Sequence, residues 1–162
     1  MEIYIVRHAI AEEVPPSGGG DAQRALTPEG RNKMKEAAKG FAKLSPEIER
    51  IFSSPLVRAK QTAEIVAKAL NKEVEEMTEL SPAHSPAQVC VVLRELKKTK
   101  SAMLVGHEPN CSDLAAYLMG FKELGIEFKK GAICLIEARD LRPGSGMLIW
   151  HLSPAVLRLM AK

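Results

Sequence analysis

The chain has 162 residues, of which 46% are hydrophobic and 27% charged, the balance of a soluble globular fold with a sizeable core. A net charge of +3, with one Trp, two Tyr and four Phe, supports neither a nucleic-acid track nor a base-stacking platform, and the lysines at 97–100 and 129–130 read as solvated surface. No window approaches the roughly 20 apolar residues of a membrane span, no signal-peptide pattern opens the sequence, and Cys90, Cys111 and Cys134 form no C-x-x-C pair, so a cytoplasmic protein without membrane contact, disulfide framework or metal site is expected.

The first apolar run, Ile3 to Val6, stops abruptly at Arg7-His8-Ala9. Val, Ile and Tyr favour a pleated backbone, and a short apolar run that ends in polar groups suits a buried parallel strand whose C-terminal end meets a ligand. Residues 15–21, Pro-Pro-Ser-Gly-Gly-Gly-Asp, exclude a helix or central strand and form a loop beside it; no G-K-[ST] follows, so this is not a Walker loop. Thr27-Pro28 is an N-cap with proline at N1, opening a helix through Leu44.

Ile48 to Phe52 reads as a second strand, and Ser53-Ser54-Pro55 repeats the cap-plus-proline signature, predicting a helix from Pro55 to Leu70 that buries Val57, Ala63, Ile65, Val66 and Ala69. Arg58 falls in its first turn, where the free N–H groups disfavour a cation unless an anion compensates, so the position suits an anion clamp. Glu73 to Met77 is a short strand, Thr78 to Ala83 a loop, and Ser85-x-x-Gln88 a capping box that starts a helix to Leu96. Ser101 to His107 then repeats the opening design, an apolar strand that stops at a histidine, followed by a helix over 109–119.

The repeated strand–helix alternation predicts one α/β domain over residues 1–162, with three layers, α/β/α, and a mostly parallel central sheet. Gly131 to Ala138 and Met147 to Leu152, joined through Arg142-Pro143-Gly144-Ser145-Gly146, add an antiparallel edge near the C-terminus, and a short helix from Pro154 closes the chain. Cys134 and Arg139 mimic a cysteine-phosphatase loop, but the spacing is one residue short and the residues between them alternate as a strand.

Of the four histidines, His84 and His151 read as structural, and none is paired at helical metal-ligand spacing. His8 and His107 both end apolar strands with arginine or helix N–H groups nearby, which points to a phosphoryl group.

Arg7-His8-Ala9, then Ser53-Ser54-Pro55-Leu56-Val57-Arg58-Ala59-Lys60-Gln61-Thr62-Ala63, then Gly106-His107-Glu108-Pro109-Asn110 resemble the histidine phosphatase superfamily, with its phosphoglycerate-mutase-like fold, in order, spacing and context. The short length, the stretch from Asp21 to Gly30 and the ending Trp150-His151-Leu152-Ser153-Pro154 resemble its SixA-type phosphohistidine phosphatase branch. The resemblance implies that His8 is a nucleophile that becomes transiently phosphorylated, that Arg7, Arg58 and His107 surround the phosphoryl group, that Arg24 is a further phosphate-binding arginine, and that Asp21 orients it. It implies no cofactor and no metal, and a phosphorylated protein or a small phosphorylated molecule as partner, with the oligomeric state open and a monomer sufficient.

Two departures stand out. Many relatives have glycine where this chain has Ala9, which requires an ordinary backbone there. Many relatives also use a carboxylate as general acid, for which Glu79 is the candidate here. Imidazole leaves more easily than an alkoxide, so a weak acid favours phosphohistidine over alkyl esters. The alternatives are a small-molecule phosphomonoesterase of the same superfamily and a phosphoryl-binding module without turnover. With His107 as an imidazolium and His8 neutral, activity is expected to fall at acid pH and again at alkaline pH.

Overall fold

The computed structural model describes residues 1–15, 18–122 and 125–162, so Pro16 and Ser17 of the expected glycine-rich loop lie outside the described residues. In chain order the elements are β1 (Glu2–Arg7), α1 (Pro28–Ala42), β2 (Arg50–Ser53), α2 (Val57–Leu70), β3 (Val74–Glu76), α3 (Pro86–Glu95), β4 (Ser101–Gly106), α4 (Asn110–Met119), β5 (Ile133–Ala138), β6 (Gly146–Leu152) and α5 (Pro154–Met160), with 3-10 turns at Asp21–Gln23 and Thr78–Leu80. The sheet order is β3-β2-β4-β1-β5-β6. Strands β3, β2, β4 and β1 run parallel; β5 pairs antiparallel with β1, and β6 with β5. The expected α/β class, mostly parallel sheet and antiparallel C-terminal edge are therefore all present.

Alternation along β1 divides the core. Ile3 and Ile5 face one side with Val89 and Leu93 of α3 and Leu114 and Leu118 of α4. Tyr4 and Val6 face the other with Met34 and Phe41 of α1, Ala63 and Val66 of α2, and Leu157 of α5. A strand buried on both faces has no polar alternation, which is why β1 and β4 read as unbroken apolar runs. Tyr4, Phe41 and Trp150 pack edge to face at 6.0–6.3 Å and lock α1 over the antiparallel edge.

Two glycines in α1 permit close approaches that a side chain would block. A Cβ at Gly40 would stand 1.8 Å from the Leu157 carbonyl oxygen, and one at Gly30 would stand 2.1 Å from that of Ile10. The first lets α5 lie on α1; the second lets the segment after His8 run against the start of α1.

Local signals hold where the side chain has only the helix to serve. Thr27 accepts from the Gly30 N–H at 2.9 Å, and the Gln88 carboxamide returns to the Ser85 N–H at 2.9 Å. The Ser53-Ser54-Pro55 signature is the exception: α2 starts at Val57, with Leu56 in the cap position and no side-chain cap. Its buried face is also rotated from expectation, comprising Arg58, Ala59, Thr62, Ala63, Val66 and Ala67, while Ala69 is exposed. The cap signature failed because both serines are fully buried, with Ser53 Oγ donating to the adjacent Ser54 carbonyl and Ser54 Oγ engaged by His107. No helix among the described residues is long and apolar enough to cross a membrane.

Candidate functional site

The central register brings the two strand-ending histidines together. Arg7 lies opposite Gly106 in the β1–β4 ladder, so the next residues, His8 and His107, leave the sheet side by side, their ring centroids 5.2 Å apart. The His8 N–H donates to the Gly106 carbonyl at 2.9 Å, extending the ladder into the site. Both imidazoles are buried, at 6% and 2% exposure.

The His8 ring is oriented by its own neighbour. Nδ1 lies 2.7 Å from the Ala9 carbonyl oxygen, which can only accept, so Nδ1 carries the proton and a neutral ring keeps its lone pair on Nε2. Burial lowers the His8 pKa, the Ala9 carbonyl opposes, and Arg58, Arg7 and Lys130 lower it further, to about 4. Ala9 is in turn fixed by Thr62, whose Oγ1 accepts from the Ala9 N–H at 3.0 Å and donates to the Arg58 carbonyl at 2.7 Å. Positive φ among described non-glycine residues is confined to Ser45, Asn71 and Leu141, so Ala9 occupies ordinary backbone as its side chain requires.

His107 is oriented across the sheet instead. Its Nε2 lies 2.8 Å from Ser54 Oγ, at the end of β2. Burial lowers its pKa to about 3, with Arg58 and His8 adding to the effect. The expected imidazolium is disfavoured in this site: burial first, then the Arg58 and Arg7 guanidiniums, oppose a positive charge on His107.

Arg58 is 5% exposed and directs Nη1 to the Asp21 carbonyl at 2.8 Å and Nη2 to Asp21 Oδ2 at 2.9 Å. Arg24 donates from Nη1 to Asp21 Oδ1 at 2.8 Å and from Nε to the Glu12 carbonyl at 2.6 Å. Asp21 thus bridges both arginines, and these hydrogen bonds, Arg24 first, hold its carboxyl below the usual range although it is 59% exposed. Arg7 donates from Nη1 to the Phe128 carbonyl at 2.6 Å.

Among the described residues, four buried side-chain nitrogen or oxygen atoms lack a hydrogen-bond partner: Arg7 Nε, Arg58 Nε, His107 Nδ1 and His151 Nε2. Three of the four belong to residues selected from the sequence for a phosphoryl site. Unpaired buried polar atoms are costly and rare, and here they concentrate on two guanidiniums and one imidazole, leaving hydrogen-bonding capacity of the kind an anion uses. No group of three or more His, Cys, Asp or Glu side chains among the described residues could hold a metal ion.

Glu79, in the turn before α3, is half-buried and lines a cavity of about 20 Å³ with His107, His84 and Asn110. It is brought beside the second histidine but has no side-chain partner among the described residues. His84 is held by Ser81 Oγ at 2.9 Å, and His151 stands edge-on to Phe128 at 4.8 Å. Cys134 is fully buried in β5 and burial pushes its thiol up to about 12, which removes the cysteine-phosphatase alternative. Ser54, expected only as part of a helix cap, and Thr62, assigned no role from the sequence, hold His107 and Ala9; the available signal was two polar residues in and before a helix whose cap they do not make.

The comparisons agree with this geometry. Residues 3–84 match the family model of the histidine phosphatase superfamily (branch 1). An uncharacterized protein of Picosynechococcus sp. is 33% identical, covering 93% of this chain and 90% of its own. The chain belongs to the histidine phosphatase superfamily. Phosphohistidine phosphatase SixA of Escherichia coli is 29% identical, with 98% of each chain covered. The solved structure of the protein histidine phosphatase SixA complexed with tungstate superposes with a TM-score of 0.85 at 30% identity, covering 96% of this chain and 98% of that one. Full-length likeness to SixA, in sequence and in fold, makes this superfamily member a phosphatase.

Proposed function

We propose that the protein hydrolyses phosphohistidine on a protein, without a metal or cofactor, through a covalent phospho-His8 intermediate. The observation that carries this reading is the set of unpaired donors on Arg7, Arg58 and His107 gathered around an imidazole whose Nε2 keeps its lone pair. Nε2 of His8 attacks the phosphorus, the bond from phosphorus to the substrate imidazole breaks, and that imidazole leaves with the electron pair. Water then attacks phospho-His8, the N–P bond breaks, and phosphate is released with the His8 ring restored.

Two guanidiniums supply permanent charge to the phosphoryl oxygens in a site where little solvent competes, the main requirement of phosphoryl transfer. A depressed pKa keeps His8 neutral across the physiological range, so no separate base is needed to free it. Ser54 donates to His107 Nε2, leaving Nδ1–H for a phosphoryl oxygen. Asp21 orients Arg58 and Arg24. The full-length resemblance to SixA supports a phosphoprotein substrate, as does the burial of all three cysteines as free thiols for a cytoplasmic setting.

Hydrolysis of small phosphate esters is the second reading, favoured by one observation, the unpaired carboxylate of Glu79 beside His107. A side-by-side assay on a phosphohistidine protein, an aryl phosphate and a sugar phosphate, with chelator present, separates the two. Preference for the phosphohistidine protein, with label trapped on His8, is the expected result. Faster turnover of the sugar phosphate, abolished in Glu79→Gln, would establish the ester reading, and unchanged turnover in His8→Ala would rule out the covalent mechanism.

A further inference from the structure

A second pocket lies on the same edge of the sheet as His8. It is a cleft of about 150 Å³ whose walls include Ala9 and Ile10, directly after His8, together with Lys33 of α1, Lys130 and Gly131 before β5, and Arg158 of α5. The topology requires this position. β1 delivers His8 at its C-terminal end, the Gly131 N–H donates to the Arg7 carbonyl at 3.0 Å, and β6 ends at the same edge to release α5. Three cations from three separate elements therefore rim one cleft adjoining the nucleophile, and no carboxylate lines it.

The cations are not equally engaged. Lys33 pairs with the exposed Glu29, and Arg158 stands 3.8 Å from Glu36. Lys130 is exposed and has no ion pair among the described residues, and its charge is felt at His8. At about 30 Å³ for each water in the liquid, the cleft has room for a carboxylate side chain. Two flexible ammonium groups and one guanidinium that stands beside Glu36, spread along a rim, make a poor cradle for a tightly bound second phosphate, which calls for convergent donors. They suit carboxylates carried on a partner's surface, where attraction accelerates encounter and sets orientation.

We propose that this basic cleft is a docking subsite for an acidic side chain of the phosphorylated protein, adjacent to its phosphohistidine. The assignment rests on the phosphoprotein reading above and adds the charge pattern the substrate must present. It also gives a protein substrate an advantage over phosphoimidazole, which has the same imidazole leaving group and no carboxylate.

The test uses the double variant Lys33→Glu/Lys130→Glu and three substrates at neutral pH: a histidine-phosphorylated protein, phosphoimidazole and an aryl phosphate. The kcat/KM for the phosphoprotein is expected to fall roughly tenfold at low salt, with the loss shrinking at high salt, while the other two substrates change by less than about twofold. Lys33→Arg/Lys130→Arg is expected to retain the phosphoprotein rate. An equal fall on all three substrates, or none on the phosphoprotein, overturns the proposal. So does a loss confined to free phosphohistidine, assayed alongside as a small substrate whose α-carboxylate is a second anionic group, which would assign the cleft to a metabolite. Failure of the parent reading is distinguishable, since the unmodified protein would then not dephosphorylate the phosphoprotein at all.

Discussion

The ends of β1 and β4 look alike in sequence and are held differently in space. Each is a six-residue apolar strand that stops at an imidazole. His8 is oriented by the carbonyl of the very next residue, whereas His107 is oriented by Ser54, 53 positions away and just past the end of β2. A backbone carbonyl cannot be removed by substitution, while a hydroxyl can. The tautomer of the proposed nucleophile is thus built into the main chain, and that of its neighbour depends on a single replaceable side chain.

The largest effect is expected where the two ends share one function. His8→Ala should lower turnover on the order of 10⁴-fold and abolish phosphoenzyme, and Arg58→Ala should cost about 10²–10³-fold in kcat, both read by single-turnover kinetics. If Arg58→Ala raised KM alone, the guanidinium would be binding substrate without stabilising the transition state.

The asymmetry itself is tested by Ser54→Ala and Thr62→Val. Ser54→Ala removes the direct partner of His107 and is expected to cost about tenfold in kcat, the loss of one hydrogen bond in a buried network. Thr62→Val leaves the His8–Ala9 contact formally intact but unsatisfies the Ala9 N–H, so a smaller kcat loss accompanied by lower stability is expected, with Thr62→Ser restoring both. A larger kcat effect in Thr62→Val than in Ser54→Ala would show that the His8 end also depends on a side chain.

A separate effect is expected in the pH dependence of folding. Both imidazoles have folded pKa values depressed to about 4 and about 3, against about 6.5 in the unfolded chain. As pH falls below about 6.5 the unfolded chain takes up protons that the folded chain refuses, so stability is level above that value and declines down to about 4 through His8 and about 3 through His107. The urea midpoint should therefore drop between pH about 7 and about 5, and His107→Gln should flatten part of the decline. Activity, for the same reason, should lack an acid limb near pH 6.5 arising from the free enzyme's His8.

Periodicity and local caps made the strands, most helices and both histidines legible, because a doubly buried strand must be continuously apolar and a helix start needs a side-chain acceptor nearby. Arg7, His8, Arg58 and His107 could be selected from motifs whose order and spacing survive in the chain. The residues that position them could not. Ser54 resembles a cap and instead serves His107; Thr62 resembles a polar helix residue and instead joins Ala9 to α2; Asp21, expected to orient Arg24, also engages Arg58 across 37 positions. The charge state of His107 was likewise out of reach, since burial and the convergence of Arg58, Arg7 and His8 exist only once the sheet has formed. Motif order and spacing place the candidate side chains Arg7, His8, Arg58 and His107 at two strand ends and one helix start. Only the tertiary structure decided their protonation and partners, because solvent exclusion and long-range hydrogen bonds are properties of the packed chain and leave no local periodicity to read.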